Sequence, residues 1–155
     1  CPDGRHDGAG GHPMSTFLAR DIAFAADGDL LVAPTGDLQI AHDEDVLRQD
    51  ILDRLATLPG ELPAHPTWGC RIKSLLGAPD TPRTRMLAKR YLREALEDEP
   101  RVEDASILVQ QVGFTAEEKV FRIRFSLAGQ DRLQELVWGL GLKGPFVVRQ
   151  GEIQA

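Results

Sequence analysis

Apolar residues change their spacing twice along this chain, and the changes divide it into three stretches. From Arg20 to His42, Ile22 and Phe24 alternate with Asp21 and Ala23, and Leu30-Leu31-Val32 follows the turn-forming Asp27-Gly28-Asp29. Leu38-Gln39-Ile40 follows a second turn, Pro34-Thr35-Gly36-Asp37. Short strands are predicted here. The period then lengthens. Leu47, Ile51, Leu55 and Leu58 recur at spacings of four, four and three, one apolar stripe of a first helix. Asp43, Glu44 and Asp45 suit its first turn, where carboxylates meet unsatisfied amides, and Pro59-Gly60 ends it. Residues 59–70 are too rich in proline and glycine to be regular, although they hold Trp68. Arg71 to Leu76 reads as one short helical turn closed by Gly77. A third helix starts at Thr81 as N-cap with Pro82 in the tolerated first position, and Pro100 stops it. Leu87, Tyr91, Ala95 and the parallel set Ala88, Leu92, Leu96 give that helix a broad apolar face.

Beyond Pro100 the period is two. Ala105, Ile107 and Val109 alternate with Ser106, Leu108 and Gln110, and Phe121, Ile123, Phe125 and Leu127 alternate with polar residues, as in an antiparallel strand buried on one face. Leu133 to Trp138 is a further strand and Phe146 to Arg149 a last one, beyond a Gly-rich link at residues 139–144. No internal repeat stands out. The order of strands, helices and strands gives an α+β domain: a small mixed or antiparallel sheet with about three helices packed on one face. Residues 1–15 are expected to be a flexible tail, 16–128 the main domain and 129–155 a C-terminal strand extension. A sharper reading of the tail makes Cys1 the lipidated first residue of a processed lipoprotein, whereas Met14 opens a more ordinary N-terminus.

Composition narrows the function. The 155 residues fit one domain, and 42% hydrophobic with 27% charged residues is a globular balance. No apolar run is long enough to suggest a membrane span. A net charge of −6 argues against a general nucleic-acid binder. The two cysteines, Cys1 and Cys70, match no metal or disulfide spacing. His6, His12, His42 and His65 lie in tails or loops without metal-ligand spacing. Neither a phosphate-binding loop nor a nucleophile elbow occurs, so no cofactor, metal or catalytic residue is assigned. Glu61 with Asp80 is a conceivable pair of glycosidase carboxylates, but any acidic domain offers such pairs.

Charge distribution says more. Between Arg71 and Arg93 there are seven basic residues against one acid, and between Glu94 and Glu118 eight acids against one base. The third helix is therefore basic at its start and acidic at its end, the unfavourable order for its dipole. A broken local rule of this kind marks either a surface arranged for a partner or a helix whose packing outweighs its electrostatics. Glu99-Pro100-Arg101 sits where the polarity flips. In extended backbone, residues two apart point the same way, so Glu99 and Arg101 would form a two-sign clamp, Arg101 gripping a partner's carboxylate and Glu99 a base or amide.

The series Leu47-Arg48-Gln49-Asp50-Ile51, Arg54, Leu58-Pro59-Gly60-Glu61, Trp68-Gly69, Leu75-Leu76-Gly77 and Glu99-Pro100-Arg101-Val102 resembles the baseplate wedge and sheath-initiator proteins of contractile phage tails, tailocins and injection machines, and their type VI secretion counterpart. The resemblance covers about residues 20–127. It implies a structural subunit of the virion tail baseplate, assembled in the host cytoplasm and present in several copies around the tail axis. It also implies no enzymatic activity, although the family has carried a lysozyme label; peptidoglycan hydrolysis is the alternative reading. Glu99, Pro100 and Arg101 would be the contact with the helical core of the wedge. A sheet would template the first ring of sheath protein by strand exchange, and tube or hub proteins would lie nearby. Arg48 and Trp68-Gly69 would be structural. The β-prone run Phe146-Val147-Val148 is the candidate sheath contact: a short, loosely tethered strand adds little to its own domain but can lengthen a neighbour's sheet. Lys143 and Arg149 would deter uncontrolled edge pairing.

Overall fold

The computed structural model describes residues 20–25, 29–130 and 132–153. Its elements are β1 (Arg20–Ile22), β2 (Ile40–His42), α1 (Glu44–Ala56), α2 (Pro82–Glu97), β3 (Leu108–Phe114), β4 (Glu118–Ser126), β5 (Leu133–Gly141) and β6 (Gly144–Ile153), with 3-10 turns at Arg71–Leu75 and Asp104–Ser106. The fold is α+β, and β3-β4-β5-β6 is an antiparallel meander. Two details of the expectation need correction. Among the described residues there are two α-helices rather than about three, and two sheets, because β1 and β2 pair separately. The predicted middle helix is a five-residue 3-10 turn closed by Leu76 N–H donating to the Lys73 carbonyl. So short a segment cannot offset the cost of nucleating an α-helix. Residues 1–15, including Cys1, lie outside the described residues.

The stripes read from the sequence do meet. Leu47, Ile51 and Leu55 of α1 and Ala88, Leu92, Ala95 and Leu96 of α2 pack on one face of the large sheet. That face presents Phe121, Ile123 and Phe125 from β4 and Leu136, Trp138 and Leu140 from β5, with Leu127 beside them. Thr81 caps α2 as predicted, its Oγ1 accepting from Thr84 N–H at 3.1 Å, with Pro82 next. The strand expected from Ala105 begins only at Leu108. Ser106 instead closes a turn on Glu103, its Oγ donating to the Glu103 carbonyl at 2.6 Å and accepting from Ser126 N–H at 2.7 Å.

The C-terminal strand is longer and better held than its sequence suggested. β6 runs the whole length of β5, from Leu133 opposite Ile153 to Gly141 opposite Gly144. The supposed Gly-rich link is the end of β5 and a hairpin turn. Gly139 lies under the Phe146 ring, which fills the space a Cβ would take, so the glycine marks cross-strand packing rather than slack.

Residues 23–39 form a device the sequence reading missed. Three backbone hydrogen bonds close a ring: Ala23 N–H to Gln39 O at 2.8 Å, Gln39 N–H to Leu31 O at 2.8 Å, and Leu31 N–H to Ala23 O at 3.0 Å. Three antiparallel arms leave this junction, carrying the pairs Ile22/Ile40, Phe24/Leu30 and Val32/Leu38. Two arms close alike, by Ala25 N–H on Asp29 O and Ala33 N–H on Asp37 O. The cause is an eight-residue repeat, Phe24-Ala-Ala-Asp-Gly-Asp-Leu-Leu31 followed by Val32-Ala-Pro-Thr-Gly-Asp-Leu-Gln39. It is too short for a search aimed at repeats of twenty residues or more. The lobe rests on α1 through Ala23, Ala41, Val46 and Leu31. Gln49 of α1 docks on its edge, donating to Ile22 O and accepting from Phe24 N–H.

Gly69 tests the packing where α1 ends. Its φ is +128°, and a Cβ there would collide with the Thr57 carbonyl that accepts from Cys70 N–H. Gly69→Ala should cost about 2–3 kcal/mol in urea unfolding, strain plus collision. Gly36→Ala, at φ +89° in open space, should cost only about 1–2 kcal/mol of backbone strain. Equal losses at the two sites would contradict this packing.

Candidate functional site

Pro100 ends α2, and the chain then reverses in a turn in which Val102 N–H donates to Glu99 O at 3.0 Å. Proline suits the second position of such a turn. The backbone here is not extended, so the clamp drawn from strand geometry is replaced by another arrangement. Arg101 curls back, its Nε donating to Glu99 Oε1 at 2.7 Å and its Nη2 to Asp50 Oδ2 of α1 at 2.6 Å. Glu99 points inward, only 5% exposed. Its Oε2 lies 3.8 Å from Arg54 Nη2. Arg54 is also buried; its Nη1 donates to Ala95 O at 3.4 Å, and its guanidinium stands 5.4 Å from the centre of the Trp68 ring. Four charges of alternating sign, Arg54, Glu99, Arg101 and Asp50, thus tie α1 to the end of α2. The far side of the turn is pinned to β4 and the chain after it, by Glu103 N–H on Ser126 O and Ala128 N–H on Arg101 O.

Burial alone would raise the Glu99 pKa, but the hydrogen bonds and charge of Arg101, with Arg54 behind, outweigh it and hold the carboxyl below its ordinary value. The Glu99 hydrogen bond in turn keeps Arg101 firmly charged. Of the three corner residues, Pro100 is exposed and Arg101 half-buried. The outward surface of the corner is an oriented guanidinium beside a rigid proline ring.

Arg48 Nη2 donates at 2.7 Å to the buried Gln134, joining α1 to β5, and Nη1 reaches Asp45 at 3.0 Å. Trp68 covers Arg54, and Gly69 lets the chain pass Thr57. Both act as structural residues. On α2, Arg90 and Arg93 reach Glu94 and Glu97 at 2.5 and 2.6 Å, which relieves the unfavourable charge order locally. Glu61 and Asp80 are each engaged close by. Glu61 accepts from Leu58 N–H at 2.8 Å and lies 3.7 Å from Lys73, while Asp80 is paired with Arg85. The Arg85 hydrogen bond lowers the Asp80 pKa, opposite to what a general acid needs. Cys70 is buried, and burial pushes its thiol up to about 11, an unreactive state. Among the described residues no three His, Cys, Asp or Glu gather into a metal-holding group.

One buried residue lies outside the candidates read from the sequence. Lys119 stands two residues before Phe121, so the alternation of β4 puts it on the core face, and it is fully buried. Its Nζ donates to Thr115 O at 3.0 Å, Ala116 O at 3.3 Å and Ala78 O at 3.5 Å, and stands 4.6 Å from the Phe114 ring centre. It fastens the 77–80 loop to the β3–β4 hairpin, and burial lowers its pKa.

The run Phe146-Val147-Val148 divides. Phe146 covers Gly139, Val147 packs on the core opposite Trp138, and Val148 sits 62% exposed where the β5–β6 register shifts. A groove of about 690 Å³ runs between the N-terminal lobe, α1 and the β5–β6 hairpin, with Phe24, Ile40, Leu52, Trp138, Phe146 and Val147 among its lining. Lys143 also lines it, and the Arg149 side chain lies outside the described part.

The family model described as baseplate wedge protein gp25 matches residues 41–134, which span α1, the corner and the large sheet as far as the start of β5. A crystal structure of a “putative tail lysozyme” from Geobacter sulfurreducens superposes with a TM-score of 0.53 at 22% identity, covering 78% of this chain and 97% of that one. At that identity the likeness concerns the fold. No curated protein matches the chain.

The charge network makes a paired prediction. Glu99→Ala should destabilise by about 3 kcal/mol, because it leaves Arg54 buried and unpaired. Arg101→Ala should cost less, about 1–2 kcal/mol, since Arg101 and Asp50 are partly exposed and Glu99 keeps Arg54. The folded Glu99 pKa is below its unfolded value, so its contribution is complete above pH 4.5 and fades as pH falls through the folded value. The stability gap between wild type and Glu99→Gln should therefore narrow in acid; a gap independent of pH would contradict the assignment.

Proposed function

The chain belongs to the baseplate wedge protein gp25 family, and from that membership we propose that it is a structural subunit that docks on the helical core of the wedge and starts the sheath. The family itself supports a structural place in the tail baseplate. The observation that carries the docking half is the internally tethered corner. Arg101 is held by Glu99 and Asp50, so little side-chain freedom remains to be lost when it meets a carboxylate or helix C-terminus on a neighbour. Such neighbours are the helical-core proteins, repeated around the tail axis, and assembly takes place in the host cytoplasm.

For the sheath half, β6 is an edge of the four-stranded sheet and its hairpin borders the groove, whose lining mixes apolar side chains with Arg48, Asp53 and Lys143. An edge strand beside a groove suits β-augmentation, in which backbone hydrogen bonds supply affinity and alternate side chains set the register. Val148, rather than Phe146 or Val147, is the outward residue of the proposed contact, because the other two serve the chain's own packing.

Peptidoglycan hydrolysis is the second reading, favoured by the tail-lysozyme description of the structural relative. The carboxylates weigh against it: Asp80 is held low by Arg85, Glu99 is inside the charge network, and Glu61 staples its own loop. We assign no catalytic residue.

Arg101→Ala is the direct test. The free subunit should keep its thermal midpoint within several degrees, while the yield of complete tails collapses and purified protein leaves peptidoglycan turbidity unchanged. Normal tails would overturn the docking role, and lysis abolished by Glu61→Gln would establish the second reading instead. Val148→Lys should give baseplates that assemble but carry no sheath in negative-stain images; sheathed tails would remove the β6 edge from the proposal.

A further inference from the structure

We propose that two copies of this chain dock head to tail, the apolar face of one copy's three-armed N-terminal lobe receiving Met86 on α2 of the next. The first observation is where the exposed apolar residues lie. Of twelve exposed large hydrophobics among the described residues, six belong to the lobe: Ile22, Phe24, Leu30, Val32, Leu38 and Ile40. They are the three cross-strand pairs of its three arms. Paired residues of an antiparallel ladder share a face, and the intervening Ala23 and Leu31 turn the other way, onto α1. The lobe therefore exposes six large apolar side chains, Phe24 and Ile40 at the border of the groove beside the β5–β6 hairpin and Ile22, Leu30, Val32 and Leu38 beyond it, a clustering that scattered surface leucines do not produce. Its described segments carry three exposed acids, Asp21, Asp29 and Asp37, against one exposed base, Arg20.

The second observation is a complement on the same molecule. Met86, at 67% exposure, is the exposed large hydrophobic of the two helices. On the helix surface its neighbours at three and four residues are Arg83, Lys89 and Arg90, all exposed. An apolar knob with a basic rim matches an apolar face with an acidic rim. Both kinds of residue, bulky apolar centre and opposite-sign surround, are what an interface with electrostatic steering needs. The two patches are different surfaces, so the contact is heterologous: each pair leaves one lobe and one helix face unused, and further copies can add to a ring or row. The lobe lies mostly before residue 41, where the family match begins, so this contact is independent of the corner and its partner.

Sedimentation of the full chain from micromolar to millimolar concentration tests the proposal. The mass should rise with concentration at low salt and fall back as salt screens the rims. Val32→Ser with Leu38→Ser, which blunts the lobe, and Met86→Glu, which blunts the helix, should each raise the dissociation constant about tenfold or more. All three positions are exposed, and unchanged thermal midpoints confirm that the variants fold. The decisive sample is an equimolar mixture of the two variants. It retains one intact lobe and one intact helix face, so it should form a one-to-one pair and nothing larger. A wild type that stays monomeric throughout, a variant that associates normally, or a mixture that fails to pair would overturn the proposal. Association that appears only after residues 1–19 are removed would also overturn it, and would make the chain's own N-terminal segment the occupant of the lobe.

Discussion

A carboxylate buried between two guanidiniums sets the geometry on which the rest of this structure depends. Glu99 stands between Arg54 and Arg101, and neither helix could sit elsewhere without stranding one of these charges. α1 supplies Arg54 and Asp50, the end of α2 supplies Glu99 and the Ala95 carbonyl, and the irregular loop after α1 lays Trp68 against Arg54. A buried ion pair is a poor source of net stability, since desolvation cancels much of the attraction, but removing one partner is expensive. The consequence is specificity. The apolar stripes fix which faces meet, and the network adds directional contacts between α1 and the end of α2.

That constraint also explains the form of the corner. A helix that simply stopped would leave Glu99 and Arg101 as solvated charges. Pro100 forces a turn, the turn folds Arg101 back on Glu99 and Asp50, and Val102 passes directly into a bridge with Leu127. Glu99 is turned inside, Pro100 is exposed, and Arg101 lies half-buried between them.

The sequence made some of this legible and hid the rest for physical reasons. Stripes at Leu47, Ile51 and Leu55 and at Ala88, Leu92 and Leu96 are local patterns with a single period, and the structure buries them as read. So is the alternation from Phe121 to Leu127. Glu99-Pro100-Arg101 stood out as a motif, but its partner Asp50 is 51 residues from Arg101, a separation no window along the chain can bridge. Its conformation is not legible either, because the strand rule that residues two apart point the same way does not hold in the turn closed by Val102 N–H on Glu99 O. β6 was underestimated because Gly139 and Gly141 looked like slack, whereas the Phe146 ring occupies the space. Lys119 is in phase with Phe121 and Ile123, so its inward direction is legible, but its partners are backbone carbonyls that any sequence possesses. The eight-residue repeat is too short to stand out, and along the chain its two copies show only as two turns.

Interior and surface features are separated spatially in this chain. The core and the charge network occupy the middle; the corner, the β6 edge and the N-terminal lobe face outward. The account's central claim is that the corner enters the assembly with its internal network intact. A cryo-electron microscopy map of the assembled baseplate at side-chain resolution tests it most directly. The account predicts density for a neighbouring helical subunit against Pro100 and Arg101, with Glu99 still turned inward to Arg54. A corner facing solvent, or a Glu99 swung out to grip the neighbour, would contradict it.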